Sequence, residues 1–267
     1  KLGQQCAAVT TEFENIPAHS LRKLAKTCIV SPDAYSVSVA QNRIAEKQFL
    51  GTSGFTVAPF AVIQQPDDFV TQDAADFLPG ILKVSQFGYD GKGQVKVNSM
   101  AELPAAYEQL NHSICVLEKF MPLKSEISVV VARGSDGQTA VFPVSENQHV
   151  NGILDVSIVP ARISPLLAEK AQALAGQVAQ QLNYQGVLCV EFFVLQDDAL
   201  VINEIAPRPH NSGHYSIDAC VTSQFEQQVR TLCGLPLGST TQLSPAVMIN
   251  LLGDVWRNGD PDWNIVL

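Results

Sequence analysis

The segment from Gly186 to His214, GVLCVEFFVLQDDALVINEIAPRPHNSGH, constrains this chain more than any other. Two apolar runs flank Asp197-Asp198, the pattern of two strands joined by a tight turn. If that turn is symmetric, Glu191 falls directly across from Glu204 on one face of the sheet. Like charges directly opposed on a hairpin are destabilising, and a carboxylate set between Val190 and Phe192 is costly to bury unpaired. An exposed glutamate or a structural ion pair is the ordinary alternative, but the hairpin holds no cation before Arg208. A divalent cation between the carboxylates removes both costs. Hard cations such as Mg2+ bind through one or two carboxylates together with substrate phosphates, so the hairpin points to metal–nucleotide chemistry.

Composition narrows the class. A chain of 267 residues can bury a sizeable core and suits one large or two modest domains. Its 46% apolar and 16% charged content is that of an ordinary globular protein. A net charge of -9 argues against a general nucleic-acid binder, which needs clustered Lys and Arg. No apolar run approaches a transmembrane helix, and the opening KLGQQCAAVTTEFEN lacks the regions of a signal peptide. The six cysteines are scattered singly, without zinc or redox spacing, and fit reduced thiols in the cytoplasm. There is no initiating Met, Ala7-Ala8-Val9 reads as the end of a strand lacking partners, and residues 264–267 stop without a cap. Both ends read as those of a fragment.

Along the chain, residues 17–26 read as helical, followed by a short strand around Ile29 and a break at Ser31-Pro32. A second helical pattern over 34–50 carries Arg43, Glu46 and Lys47. Residues 57–63 read as extended, and 77–85 lead into the strand ILKVS. Extended segments follow at 94–97, 114–120 and 126–132, the last joined through Gly134-Ser135-Asp136-Gly137 to 139–144 as a hairpin. Residues 164–183 form the clearest helix, with Ser164 as N-cap and Pro165 at the first helical position. Leu167, Ala171, Leu174, Val178 and Leu182 give it one apolar stripe. A helix over 223–233 ended by Gly234 and a strand over 246–252 complete the chain. The order predicts an α+β enzyme with a small β-rich lid over a larger sheet.

Two further segments carry chemistry. FGYDGKGQ, residues 87–94, lies between two strands, and its glycines allow the close backbone approach that anion binding needs. It is not a P-loop, because the GK[ST] ending and following helix are missing; a plain hairpin turn is the commoner explanation. Lys83, a cation within the apolar run before it, needs a partner such as a nucleotide phosphate. Arg208-Pro209-His210-Asn211-Ser212-Gly213-His214 packs an anion fork, imidazoles, an amide and a hydroxyl into one loop. Arginine offers a bidentate fit to carboxylate, bicarbonate or phosphate.

Together TEFENIP (11–17), QNRIAEKQFL (41–50), ILKVSQFGYDGKGQ (81–94), NEIAPRPHNSGHY (203–215) and DACVTSQFEQQVRTLCGLPLG (218–238) resemble the ATP-grasp superfamily, and within it the 5-(carboxyamino)imidazole ribonucleotide synthases of purine biosynthesis. The resemblance spans nearly the whole chain. It implies an ATP-grasp fold with residues 1–35 as the remnant of an N-terminal nucleotide-fold α/β domain, 36–80 and 146–267 as a large antiparallel-sheet lobe and 81–145 as the small lid. It implies carboxylation of aminoimidazole ribonucleotide by bicarbonate, driven by ATP through carboxyphosphate.

By the same resemblance, Glu191 and Glu204 hold one or two Mg2+ ions (or Mn2+), with Asn203 beside them. Arg43, Lys83 and His149 contact the phosphates or ribose of ATP. Glu118 and Glu126 face its adenosine end, Glu126 at the ribose hydroxyls, with Lys119, Phe120 and Met121 in the same nucleotide set. The loop Gly88, Tyr89, Asp90, Gly91, Lys92, Gly93 and Gln94 closes over phosphates and substrate. Glu12, Glu14, Tyr89, Asp90, Lys92 and Arg208 contact the ribonucleotide, and Arg208, His210, Asn211, Ser212 and Lys92 form the catalytic pocket for bicarbonate and carboxyphosphate. It also implies a cytoplasmic homodimer with small-molecule substrates and neither a nucleic-acid nor a membrane partner.

The ends depart from the family. The GGGQLG-like turn that opens its members is absent, as is a C-terminal region supplying a basic residue to the substrate site, so weak Mg-ATP binding is expected of this chain alone. A formate-dependent glycinamide ribonucleotide transformylase is the nearest rival, sharing an Arg-Pro-His sequence and an acyl-phosphate mechanism. Asn211-Ser212-Gly213-His214 and the SQFEQ helix favour the synthase. A non-catalytic remnant would predict damaged ligands, whereas Glu191, Asn203 and Glu204 are intact.

Overall fold

The structure, a computed structural model, describes residues 1–13, 15–88, 93–256, 259 and 262–266, with only the backbone of 254, 255 and 266. Glu14 and the loop-tip residues Tyr89, Asp90, Gly91 and Lys92 lie outside the described residues.

Strands β1 (Ala8–Val9) and β2 (Ile29–Val30) pair in parallel, joined through the helix Ala18–Leu24. Next come β3 (Phe60–Ile63), β4 (Gly80–Val84), β5 (Gln94–Val97) and β6 (Cys115–Lys119), an antiparallel sheet in the order β3-β6-β4-β5. The larger sheet contains β7 (Leu123–Arg133), β8 (Thr139–Val141), β9 (Ser145–Val150), β10 (Ile153–Val159), β11 (Gly186–Leu195), β12 (Leu200–Ala206) and β13 (Ala246–Ile249). Its order is β12-β11-β7-β9-β10-β13, with β8 on β7.

The sheets do not divide the chain at residues 81 and 145. β3 precedes residue 81 yet belongs to the small sheet, while β7 and β8, expected in the lid, belong to the large one. The reason lies in β7 itself. Its apolar run is covered on both faces: Ile127, Val129 and Val131 enter one core cluster, Val130 and Ala132 another. A strand of that kind takes a central place, here between β11 and β9.

The helix Pro165–Gln181 covers the first of these faces. Ser164 caps it, its hydroxyl accepting from the Leu167 amide at 3.2 Å. Leu167, Ala171, Val178 and Leu182 are buried against Leu188 and Val190 of β11, and Leu174 packs at the margin. The single helical pattern expected over 34–50 is instead two helices, Ala34–Ala40 and Arg43–Thr52. Asn42 separates them, its side-chain oxygen accepting from the amides of Ile44 and Ala45 and so starting a new helix. Strands β9 and β10 were not anticipated. They meet at Asn151-Gly152, both at positive φ (54° and 79°), the backbone that a tight primed hairpin turn requires. Among the described residues no helix is long and apolar enough to cross a membrane.

Candidate active site

The two sheets face each other across a cleft of about 810 Å³. β4 contributes Lys83, β5 Gln94, β7 Glu126, β9 His149, β11 Glu191 and β12 Asn203 and Glu204. Gly88, Glu12, Arg43, Arg208, His210 and Asn211 also line it. Residues separated by most of the chain thus reach one place because both sheets end on it.

Glu191 does pair with Glu204, but by a less simple route than a symmetric turn. The turn is a three-residue loop, 196–198, with Asp198 at φ 62° and the Leu195 amide donating to the Ala199 carbonyl at 2.9 Å. Near the turn Phe192 pairs with Ile202 and Val194 with Leu200. The register then shifts by one between Glu191 and Phe192, leaving Asn203 as the additional residue. The asymmetric turn and the bulge cancel, and the two glutamates meet. In a regular strand consecutive side chains alternate between faces; a bulge opposes two residues to one. Asn203 and Glu204, though consecutive, both line the cleft.

Electrostatics divide the two carboxylates. Burial and the charge of Glu204 push Glu191 up to about 8. Burial would also raise Glu204, but Arg43, 3.1 Å away, and Lys83 hold it below the usual range. Glu191 lies 3.2 Å from His210 Nε2. Burial and Arg208 lower His210 to about 3, keeping its imidazole neutral. Asn203 Oδ1 is buried without a hydrogen-bond partner. Two facing carboxylates, one held up in pKa by burial and the charge of the other, and an orphaned amide oxygen are a donor set that fits a hard cation. Among the described residues no group of three or more His, Cys, Asp or Glu could hold a metal by itself, so an ion here needs oxygens from the amide and from phosphate.

Glu118 does not line the cleft; it lies buried behind Lys83. It accepts from Lys83 at 2.9 Å and pairs with Lys47 at 3.3 Å. Burial alone would raise its carboxyl, but the two lysines hold it at about 2. Glu126 lies 3.1 Å from His149 Nδ1, and that contact raises the His149 pKa against its burial. Lys119 and Phe120 are exposed, Met121 is half-buried, and none of the three lines the cleft. Gly93 also stays off its wall. A Cβ there would meet Val84 Cγ2 at 2.6 Å at a φ of 73°, so the position requires glycine. Arg208 donates to the Pro209 carbonyl at 3.0 Å. Ser212 is buried under the loop, its Oγ 2.8 Å from His210 Nδ1.

Sequence reasoning left Glu46 and Lys47 without roles. Both are 1% exposed. With Arg43 they stand at i, i+3 and i+4 on one helix face, a spacing that could have flagged them. Glu46 accepts from the Ile205 amide at 2.6 Å, while Lys47 reaches Glu118, so this helix ties both sheets together. Burial, then the Glu204 charge, lift Glu46 to about 8.

Two facing antiparallel sheets with paired carboxylates, Lys83 and two arginines on the cleft between them define an ATP-grasp ligase, an enzyme that uses ATP to form a carbon–nitrogen bond. The model of the ATP-grasp domain matches residues 48–225, and that of the ribonucleotide synthetase preATP-grasp domain residues 1–41. The N5-carboxyaminoimidazole ribonucleotide synthase of Bacillus subtilis is 42% identical over 95% of this chain and 67% of its own length. A crystal structure of an N5-carboxyaminoimidazole ribonucleotide synthetase with ADP superposes with TM-score 0.90 at 46% identity, covering 94% of this chain and 67% of that one. The Aspergillus clavatus synthase, solved with ADP and 5-aminoimidazole ribonucleotide, gives 0.88 at 30% identity over 94% and 67%. The chain belongs to the N5-carboxyaminoimidazole ribonucleotide synthase family, and spans about two thirds of the length of these relatives.

Proposed function

We propose that the protein carboxylates 5-aminoimidazole ribonucleotide with bicarbonate at the expense of ATP, giving 5-(carboxyamino)imidazole ribonucleotide, ADP and phosphate in purine biosynthesis. The observation that carries this reading is the Glu191–Glu204 pair beside the orphaned Asn203 oxygen, flanked by Arg43 and Lys83. These three oxygen ligands would hold one or two Mg2+ ions, with Mn2+ as a substitute. The ion, when bound, neutralises charge on the phosphates being cleaved.

A bicarbonate oxygen bonds to the γ-phosphorus as the bond to the bridging oxygen of ADP breaks, giving carboxyphosphate. The amine nitrogen of the ribonucleotide then bonds to the carboxyl carbon, the carbon–oxygen bond to phosphate breaks, and the amine proton leaves with phosphate or solvent. Such chemistry asks for positioning and charge neutralisation more than for covalent help from the protein. Arg43 and Lys83 would bear on the phosphates, and Glu126 and His149 on the ribose. Glu118 would act from behind, keeping Lys83 charged and in place. Arg208, His210 and Asn211 would cradle bicarbonate and carboxyphosphate, Ser212 lying buried beneath His210 rather than on the cleft wall, and the loop 88–94 would exclude the water that hydrolyses an acyl phosphate. Glu12 at the cleft margin would reach the ribonucleotide.

The reading extends to a homodimer, on the family resemblance, and to a cytoplasmic setting. Six cysteines, none in a disulfide, support a reducing compartment. Two assays of ADP release test the function, one with bicarbonate and aminoimidazole ribonucleotide, the other with formate and glycinamide ribonucleotide. Turnover is expected only in the first; turnover only in the second would transfer the protein to the formate-dependent branch.

A further inference from the structure

Beneath the Arg208–His214 loop runs a chain of buried polar side chains that the reaction as derived does not use. Ser157 on β10 donates to Asn147 Oδ1 on β9 at 2.9 Å. Asn147 Nδ2 donates to Ser128 Oγ on β7 at 2.9 Å. Ser128 in turn donates to Ser212 Oγ at 2.7 Å. Ser157, Ser128 and Ser212 have no exposed surface, and Asn147 is 6% exposed. Every hydroxyl proton but one is therefore committed in a single direction, and the remaining one, on Ser212, has His210 Nδ1 at 2.8 Å as its nearest acceptor, with Cys189 Sγ at 3.9 Å.

A second, longer contact agrees with this polarity. The Ser212 backbone amide lies 3.3 Å from His210 Nδ1 and can only donate. Nδ1 is thus an acceptor, and a neutral imidazole that accepts at Nδ1 carries its proton on Nε2. Nε2 is the atom 3.2 Å from Glu191 Oε1 in the cleft.

We propose that Ser157, Asn147, Ser128 and Ser212 form a directional hydrogen-bond relay that locks His210 in its Nε2–H tautomer, aimed at Glu191 and the carboxyphosphate pocket. Ser128 and Asn147 are then positioning residues, acting on the reaction through His210. The inference deepens the functional reading above and rests on it only for the consequence to turnover. Burying this many polar groups between apolar strands is costly unless each is satisfied, and a fully satisfied network specifies one arrangement. Outer partners that orient a metal-ligating imidazole are commonly worth ~10- to 100-fold in metal affinity or activity, and the lower end of that range is taken for His210, which acts beside a ligand rather than as one.

The test uses Ser128→Ala, Ser128→Thr and, at the far end of the relay, Ser157→Ala in the full-length enzyme. Side-chain 15N spectra of His210, assigned by its loss in His210→Asn, report the tautomer directly. The native protein should show a protonated Nε2 and a bare Nδ1; S128A should show a mixture, S157A a smaller shift, and S128T the native pattern. In S128A, product formed per ADP released should fall roughly tenfold, with KM for ATP unchanged and S128T restoring it. A native His210 signature in soluble, folded S128A and S157A would overturn the relay, as would equal loss in S128T and S128A. Should S128A fail to fold, S157A decides alone. Absence of bicarbonate-dependent turnover in the native enzyme would strike the functional reading while leaving the tautomer measurement to judge the relay.

Discussion

Lys83 donates to Glu118 at 2.9 Å in a place where the two side chains are only 9% and 4% exposed. Lys47 completes the cluster at 3.3 Å. The lysine that faces the cleft is thus anchored from behind by an almost fully buried carboxylate. Replacing Glu118 by Gln leaves two buried ammonium groups without their counter-charge. The expected cost is about 3–5 kcal/mol, seen as a lower Tm, together with a raised KM for ATP. Because Glu118 titrates at about 2 in the fold and at roughly 4.3 unfolded, its contribution is present above pH ~4.3. It is lost as pH falls towards 2. Acid unfolding of E118Q should show less of that dependence in the same window.

Glu46 has the opposite sign. Its folded value is about 8, so between pH ~4.3 and 8 the folded chain holds a proton that the unfolded chain has released. Its effect on stability therefore falls as pH rises through that range, by at most about 1.4 kcal/mol per pH unit. Glu46→Gln keeps an oxygen for the Ile205 amide and should flatten this slope in thermal melts of the nucleotide-free protein. An unchanged slope would show that Glu46 is ionised in the fold.

At the carboxylate pair, Glu204→Gln and Asn203→Leu should each reduce ADP release by about 100-fold or more, the order of a lost transition-state electrostatic contact. Chelating divalent cations should abolish turnover in the native enzyme, and added Mn2+ should restore it. Retained activity in N203L would remove the amide oxygen from the ligand set.

Arg208→Lys keeps the charge but loses the planar fork. We expect KM for bicarbonate to rise by roughly tenfold while KM for ATP stays level, the sign of a lost bidentate oxyanion contact. Equal change in both constants would place Arg208 outside the bicarbonate pocket.

The helix Pro165–Gln181 and the Glu191–Glu204 hairpin were legible because their signals are local: a cap and a stripe for one, two apolar runs about a turn for the other. The bulge at Asn203 was not, since nothing in NEI distinguishes a shifted register from a regular one. Asn151-Gly152 is a local turn signal too, but the strands it joins, which carry Asn147, His149 and Ser157, are polar enough to lack the apolar runs that mark the hairpin at 186–206. The lid boundaries failed for a different reason. β3 joins its sheet through β6, more than fifty residues later in the chain, and no local pattern records such a pairing. The partners of buried charges, Glu118 with Lys47 and Glu46 with the Ile205 amide, are likewise set only by tertiary packing.

The compensation between the loop 196–198 and Asn203 makes loop length and ligand geometry a single inherited unit. If one residue is trimmed from that loop while the outer strand pairs stay fixed, and the three-residue turn re-forms, the irregularity at 203 is erased. Asn203 and Glu204 would then revert to opposite faces, and one of them would leave the cleft. Insertions and deletions, so freely accepted at most surface turns, should therefore be filtered here as strictly as substitutions of the acidic residues themselves.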